Sequence, residues 1–327
     1  MLSTSAEAGT TSHVRTVTGR ATGGVGPFGC ATSGPQNDIR NWFSAAVFLP
    51  TEGYATCHLQ GSTINNSGPA ATTATSSAIS TDKGNTATAA ASAHADYTRM
   101  GAAASSSVTG GPYEFNYHTA EGVAFVSDTL NVDASGNQGF IKLGFAIDGT
   151  MHVGPSGQAF VDFAFQFGNG PIWSAMSATI SQQGGTNFRA DYTPGFKDYS
   201  QSNSDFSIDG TVFTRVLPVT FGQSVDVTYG LFASAASGLY GSGAESAFGS
   251  TVRLTSIAVT DAKGKPIDFS ISSASGTRYD AQGAHALPTG VPEPGSWALL
   301  ILGFGAAGAT LRRTAPTSSL RARYIFR

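Results

Sequence analysis

At 327 residues the chain can bury a large core, yet only 12% of it is charged and 41 positions are glycine, unlike a typical salt-bridged cytosolic enzyme. The net charge of −3 divides unevenly: residues 1–311 hold 13 Lys+Arg against 21 Asp+Glu (−8), and the last 16 residues hold five Arg and no acid (+5). Nucleic acid needs clustered cations that the acidic body lacks, while Gly, Ala, Ser and Thr mixed with 21 Phe and 10 Tyr predict an exported β-protein.

The opening MLSTSAEAGTTSHVRTVTGRATGG has no basic or apolar region of a signal peptide, but Ala6-Glu7-Ala8 fits the small-x-small pattern that precedes signal cleavage. Residues 1–21 are therefore expected to be the remnant of a signal peptide and leader, with the true start upstream of Met1. Only Cys30 and Cys57 are present, with no CxxC pair, so no structural zinc or other metal site is expected. Two readings stay open for them. A disulfide would close a 27-residue loop, adding about 3 kcal/mol in an oxidising compartment; otherwise they are two unrelated buried thiols.

Residues 22–110 form an Ala/Thr/Ser/Gly-rich part, centred on GPAATTATSSAISTDKGNTATAAASAHA, expected to be partly ordered as thin strands. From 111 to 275 the pattern sharpens into a β-core. In AFVDFAFQF, Ala159, Val161, Phe163, Phe165 and Phe167 share one face of a strand, with Asp162 and Gln166 on the other. QSVDVTYGLF repeats the arrangement with Val225, Val227, Tyr229 and Leu231. Further strands are predicted over 123–132, 139–147, 173–181, 206–220, 250–260 and 267–272, with turns at DASGNQG, Asp148-Gly149, Asp209-Gly210 and Asp261–Gly264. In STVRLTSIAVT the apolar parity changes from Val252 and Leu254 to Ile257 and Val259, which predicts a β-bulge near Thr255-Ser256. Short strands with frequent turns predict an all-β fold, an antiparallel β-sandwich or jelly roll.

Catalytic signatures are absent: the six histidines fit no HExxH spacing, and neither a GxSxG elbow nor a phosphate loop occurs. A glycosidase needs only two carboxylates, but Glu114, Glu121, Asp162 and Asp226 are expected to be solvated. The chain is thus expected not to be an enzyme, and to need no cofactor. Residues 276–290, including HALPTG, read as an extended spacer.

The chain ends on VPEPGSWALLILGFGAAGATLRR, residues 291–313, and a basic tail, 314–327. Trp297–Leu311 is an uncharged run of 15 residues, a helix about 22 Å long at 1.5 Å per residue. Spanning the hydrocarbon core requires slight bilayer thinning, an interfacial Trp297 and snorkelling Arg312 and Arg313. The positive-inside rule keeps those arginines cytoplasmic and the body outside. The order Val291-Pro292-Glu293-Pro294, Trp297, glycine-containing apolar helix, Arg312-Arg313 resembles the PEP-CTERM sorting domain of Gram-negative bacteria. That resemblance implies recognition by an exosortase, a membrane transpeptidase that removes the helix as the body passes to the cell envelope or extracellular matrix. It implies that Pro292, Glu293 and Pro294 are the recognition signal and Arg312 with Arg313 the stop-transfer element. The expected function is a non-enzymatic surface or matrix protein; the alternative is a carbohydrate-binding module that holds exopolysaccharide.

Overall fold

The computed structural model describes residues 11–22, 58–60, 63–68, 71–82, 85–110, 117–181, 185–194, 196–237, 242–285 and 304. The chain divides into two units, Met1–Ala286 and Leu287–Arg327, and every described strand lies in the first. In chain order these are β1 (Thr11–Thr22), β2 (His58–Gln60), β3 (Thr63–Gly68), β4 (Thr72–Asp82), β5 (Asn85–Ala95), β6 (Met100–Gly110), β7 (Tyr117–Ala134) and β8 (Gln138–Val153). There follow β9 (Gly157–Phe167), β10 (Trp173–Ser181), β11 (Gly185–Arg189), β12 (Tyr199–Gln201), β13 (Asp205–Phe213) and β14 (Leu217–Thr220). The last are β15 (Ser224–Ser237), β16 (Gly243–Asp261), β17 (Phe269–Ser273), β18 (Arg278–Asp280) and β19 (Gly283–His285).

These strands form an eleven-stranded sheet, in which the order β11-β10-β9-β15-β7-β17-β18-β19 is extended by β1, β2 and β3, and an eight-stranded sheet, β12-β13-β8-β16-β6-β5-β4 with β14 beside β8. All the pairings are antiparallel, so the all-β antiparallel expectation holds. Inward side chains of the two sheets meet: Phe145 of β8 lies 4.8 Å from Phe163 of β9 and 5.1 Å from Tyr229 of β15, ring centre to ring centre. The helix expected at 297–311 lies outside the described residues, among which no helix is long and apolar enough to cross a membrane.

The core has two textures. Around β8, β9 and β15 it is filled by Phe145, Phe163, Phe165, Ile141, Leu143 and Leu231. On β4, β5 and β6 most of the buried positions are alanine, Ala74, Ala87, Ala89, Ala91, Ala93, Ala95, Ala102 and Ala104, with Ser76, Met100, Ser106 and Val108 among them. Small side chains let the sheets approach closely. A Cβ on Gly122 of β7 would stand 2.6 Å from the Ser92 carbonyl oxygen and 2.9 Å from that of Ala103, both in the other sheet. At this end a hydroxyl ladder replaces apolar bulk: Ser106 Oγ donates to the His118 carbonyl at 2.8 Å and lies 2.6 Å from Ser237 Oγ.

Three sequence readings need correction. Asp148-Gly149 and Asp209-Gly210 are not turns but lie inside β8 and β13, where Asp209 pairs with Asp148. Glycine occupies 149 and 210 because a Cβ there would strike the Phe248 ring at 2.3 Å and the Phe196 ring at 2.8 Å. The expected spacer 276–290 is strand at its start, since β18 and β19 occupy 278–280 and 283–285 and bury Tyr279. The predicted bulge is present as a register shift between Leu254 and Ser256.

Candidate functional site: the root of the sorting tail and the buried carboxylates

Asp128 lies on the core-facing side of β7, between Val126 and Leu130, and is 2% exposed. An acid at such a depth must be fully hydrogen-bonded. Asp128 Oδ1 accepts from the amides of Thr129 at 2.9 Å and Ser275 at 3.1 Å. Its Oδ2 accepts from Ser275 Oγ at 2.6 Å and from the Tyr279 hydroxyl at 2.9 Å. The carboxylate therefore clasps the β17–β18 turn and Tyr279, in the middle residue pair of the C-terminal hairpin. Burial, together with Tyr229 and Asp128, pushes the Tyr279 hydroxyl far above its ordinary value, which keeps it a neutral donor at any physiological pH.

The hairpin beyond the clasp is tied down on both sides. Asp280 Oδ1 accepts from the Gln282 amide at 2.9 Å and lies 2.7 Å from His285 Nε2; the His285 hydrogen bond and the Gln282 amide hold the Asp280 carboxyl below its ordinary value. The Ile257 amide donates to the Ala281 carbonyl at 3.2 Å, and Gly283 rests on Leu254, where a Cβ would lie 2.1 Å from the carbonyl oxygen. These contacts join the end of the folded strands to β7 and β16. The sorting-tail residues named from the sequence begin at 291, six residues after His285.

The four carboxylates weighed as a hydrolase pair do not share one environment. Asp162 and Glu121 are 0% and 4% exposed, so the expectation that they are solvated is overturned for both. They sit on β9 and β7, the strands flanking β15, on the face away from Phe145, a face that also buries Val123, Phe160 and Phe232. Asp162 Oδ1 accepts from Ser174 Oγ at 2.7 Å, while among the described residues its Oδ2 has no hydrogen-bond partner. Burial, opposed by the Ser174 bond and aided by Asp191, pushes the Asp162 carboxyl up to about 8. It is a neutral acid at pH 7. Asp226 accepts from Thr129 Oγ1 at 2.7 Å, and Glu114 lies outside the described residues. Sequence reasoning passed over Asp128, although an acid within the even-numbered series Val126, Leu130, Val132 marks a core-facing charge.

A shallow groove of about 700 Å³ on the β8–β13 surface is lined by Asp148, Asp198, Asp209, Tyr199, Ser200 and Ser207. Among the described residues no group of three or more His, Cys, Asp or Glu side chains is arranged to hold a metal ion. Only Ile79, Val216 and Phe304 are exposed large apolar residues there. Trp173 contacts Phe165, ring centres 5.5 Å apart, and the Arg215 guanidinium lies over its ring at 3.5 Å from the centre.

Residues 290–313 match the PEP-CTERM protein-sorting motif. The chain thus carries a sorting motif that implies export and exosortase processing at a membrane. The PEP-CTERM interval contains Val291, Pro292, Glu293, Pro294, Trp297, Arg312 and Arg313, all of which lie outside the described residues, as do Cys30 and Cys57. No curated protein and no solved structure matches the chain.

Proposed function

We propose that the chain is a non-enzymatic surface or matrix protein. Its body, an antiparallel sandwich, crosses the membrane, is held by the C-terminal helix with Arg312 and Arg313 in the cytoplasm, and is then cut free or transferred by an exosortase. The observation that carries this reading is the sorting motif at 290–313, which follows a strand-rich body whose last described strand ends at His285. In this reading Pro292-Glu293-Pro294 is read by the enzyme, and Trp297 with the two arginines sets the helix in the bilayer. The body's carboxylates support a role without catalysis, because Asp162 and Glu121 are buried and Asp128 and Asp226 are engaged by neighbouring donors.

A carbohydrate-binding module is the second reading. Sugar-binding faces present exposed aromatic rings, and among the residues whose side chains are described every aromatic ring except Phe304 is buried or half-buried. The polar groove over Asp148 and Asp209 is the place where such binding would occur, so the reading narrows to exopolysaccharide held by hydroxyl and carboxylate groups.

Replacing Pro292-Glu293-Pro294 by three alanines separates a sorting signal from a plain anchor, since membrane insertion depends on hydrophobicity and flanking charge rather than on residues outside the hydrocarbon. The variant is expected to accumulate as a full-length membrane-bound precursor, whereas the parent becomes shorter. Equal shortening of both would remove the motif's assigned role.

A further inference from the structure

Half-buried polar and charged side chains ordinarily find partners of opposite character. One cluster here holds donors alone. Trp173 opens β10, Tyr192 lies in the turn after β11, and Arg215 stands between β13 and β14. The turn is joined to β13 by the Phe213 amide, which donates to Thr193 Oγ1 at 2.9 Å. The Arg215 guanidinium is stacked on the Trp173 ring, 3.5 Å from its centre. Trp173 and Tyr192 both rest on Phe165, at 5.5 and 6.0 Å between ring centres.

Among the described residues none of these donors meets an acceptor. Arg215 Nε is sealed from solvent without a partner. The two terminal nitrogens of Arg215, the Trp173 indole N–H and the Tyr192 hydroxyl have no partner either, and all four reach solvent. Stacking on a ring leaves the guanidinium N–H bonds free in their own plane, so the fork is preorganised. Thr214 secures the backbone beneath it: its Oγ1 donates to the Arg215 carbonyl at 2.8 Å and accepts from the Leu143 amide at 3.1 Å.

Neither acid linked electrostatically to this cluster cancels its charge. Arg189 Nε and Nη2 hold the two Asp191 oxygens at 2.5 and 2.6 Å, and Asp162, pushed up to about 8, is neutral at pH 7. Burial and Asp191 raise the Tyr192 hydroxyl against the pull of Arg215 and Arg189, so it stays protonated and donates. Arg215 is thus an uncompensated cation within residues 1–311, whose 13 Lys+Arg and 21 Asp+Glu sum to −8.

We infer that Arg215, Trp173 and Tyr192 form a binding site for the carboxylate of an acidic sugar, a uronate unit of an extracellular polysaccharide. A carboxylate supplies the pair of acceptor oxygens that an arginine fork matches, and the hydroxyls of the sugar accept from the indole and phenol donors. The site rests on the carbohydrate reading and narrows it to an anionic polymer. It shares no residue with the groove over Asp148 and Asp209.

Affinity electrophoresis of the full-length chain in non-ionic detergent tests this, with polygalacturonate, dextran or polyglutamate cast into the gel. The negative body repels a polyanion, so retardation reports a local site. The parent is expected to be retarded more by polygalacturonate than by dextran or polyglutamate. R215Q should raise the apparent Kd for polygalacturonate about tenfold, and Y192F, which removes one hydroxyl, about threefold. Far-ultraviolet circular dichroism checks that both keep the parent's strand content, and if R215Q does not, Y192F carries the comparison. Retardation by dextran alone, or by polygalacturonate equally in parent and variants, would leave the carbohydrate reading standing and overturn this site. Equal retardation by polyglutamate would overturn the sugar as the source of the carboxylate. No retardation in any gel would overturn both the site and the carbohydrate reading.

Discussion

The aromatic and alanine regions of the core solve the same problem by opposite means. Around β8, β9 and β15, large rings fill the space between sheets, and Phe145, Phe163 and Phe165 are at most 1% exposed. Around β4, β5 and β6, alanines bring the backbones of the two sheets so near that Gly122 has no room for a Cβ. The first region draws its stability from buried area, so it is sensitive to loss of atoms; the second draws it from close approach, so it is sensitive to their addition.

The sharpest way to break this contrast is a pair of opposite substitutions read by urea denaturation. Phe145→Ala, which empties space beside Phe163 and Tyr229, is expected to cost about 4 kcal/mol. Gly122→Val should cost about 3 kcal/mol, because the atoms it meets are backbone carbonyls that cannot rotate away. If Gly122→Val is neutral, the sheets are not held at contact distance there.

The buried Asp162 adds a pH dependence on the opposite face of β9, beside Phe160 and Phe232. Its carboxyl keeps a proton to about pH 8 in the folded state and only to its ordinary value of 3.8 when exposed. Between those values the folded state binds the extra proton. The stability contribution is complete below pH 3.8, falls as pH rises, and is lost above about 8, at a limiting slope of about 1.4 kcal/mol per pH unit. From pH 5 to 7 the parent should therefore lose about 2.5 kcal/mol from this group, and Asp162→Asn should flatten that slope. An unchanged slope in the variant would show that the acid is not desolvated.

A smaller effect is expected at the clasp. Asp128→Asn leaves the four donors with one weaker acceptor and places an amide against the Tyr279 hydroxyl and Ser275, at a cost of about 2 kcal/mol. Hydrogen exchange should rise over Phe269–His285 before it rises in β8 or β9. Uniform acceleration across both sheets would mean that the clasp does not act locally.

Much of this architecture was legible because bulky residues alternate: the strand predicted over 173–181 coincides with β10, and the parity change in β16 marked its bulge. The alanine region carried the same alternation in weaker letters. Ala87, Ala89, Ala91, Ala93 and Ala95 are buried, while Thr88 and Ala90 are exposed, but alanine on both faces blurs the period. Asp-Gly at 148–149 and 209–210 misled because glycine there makes room for the Phe248 and Phe196 rings rather than a turn. β18 and β19 have three residues each, too short for any period to show. Of the candidate site, the tail motif was fully legible, since its prolines, apolar run and arginines are contiguous. The Asp128 clasp was not, because Ser275 and Tyr279 lie 147 and 151 residues away.

The comparison that matters most for function is between this body and the tail that follows it, and the mature C-terminus decides it most directly. Mass spectrometry of the surface-located parent protein should find a chain that ends before the arginine-rich tail. Detection of the terminal peptide Arg323–Arg327 on that surface-located protein would contradict sorting by cleavage and leave a permanent membrane anchor.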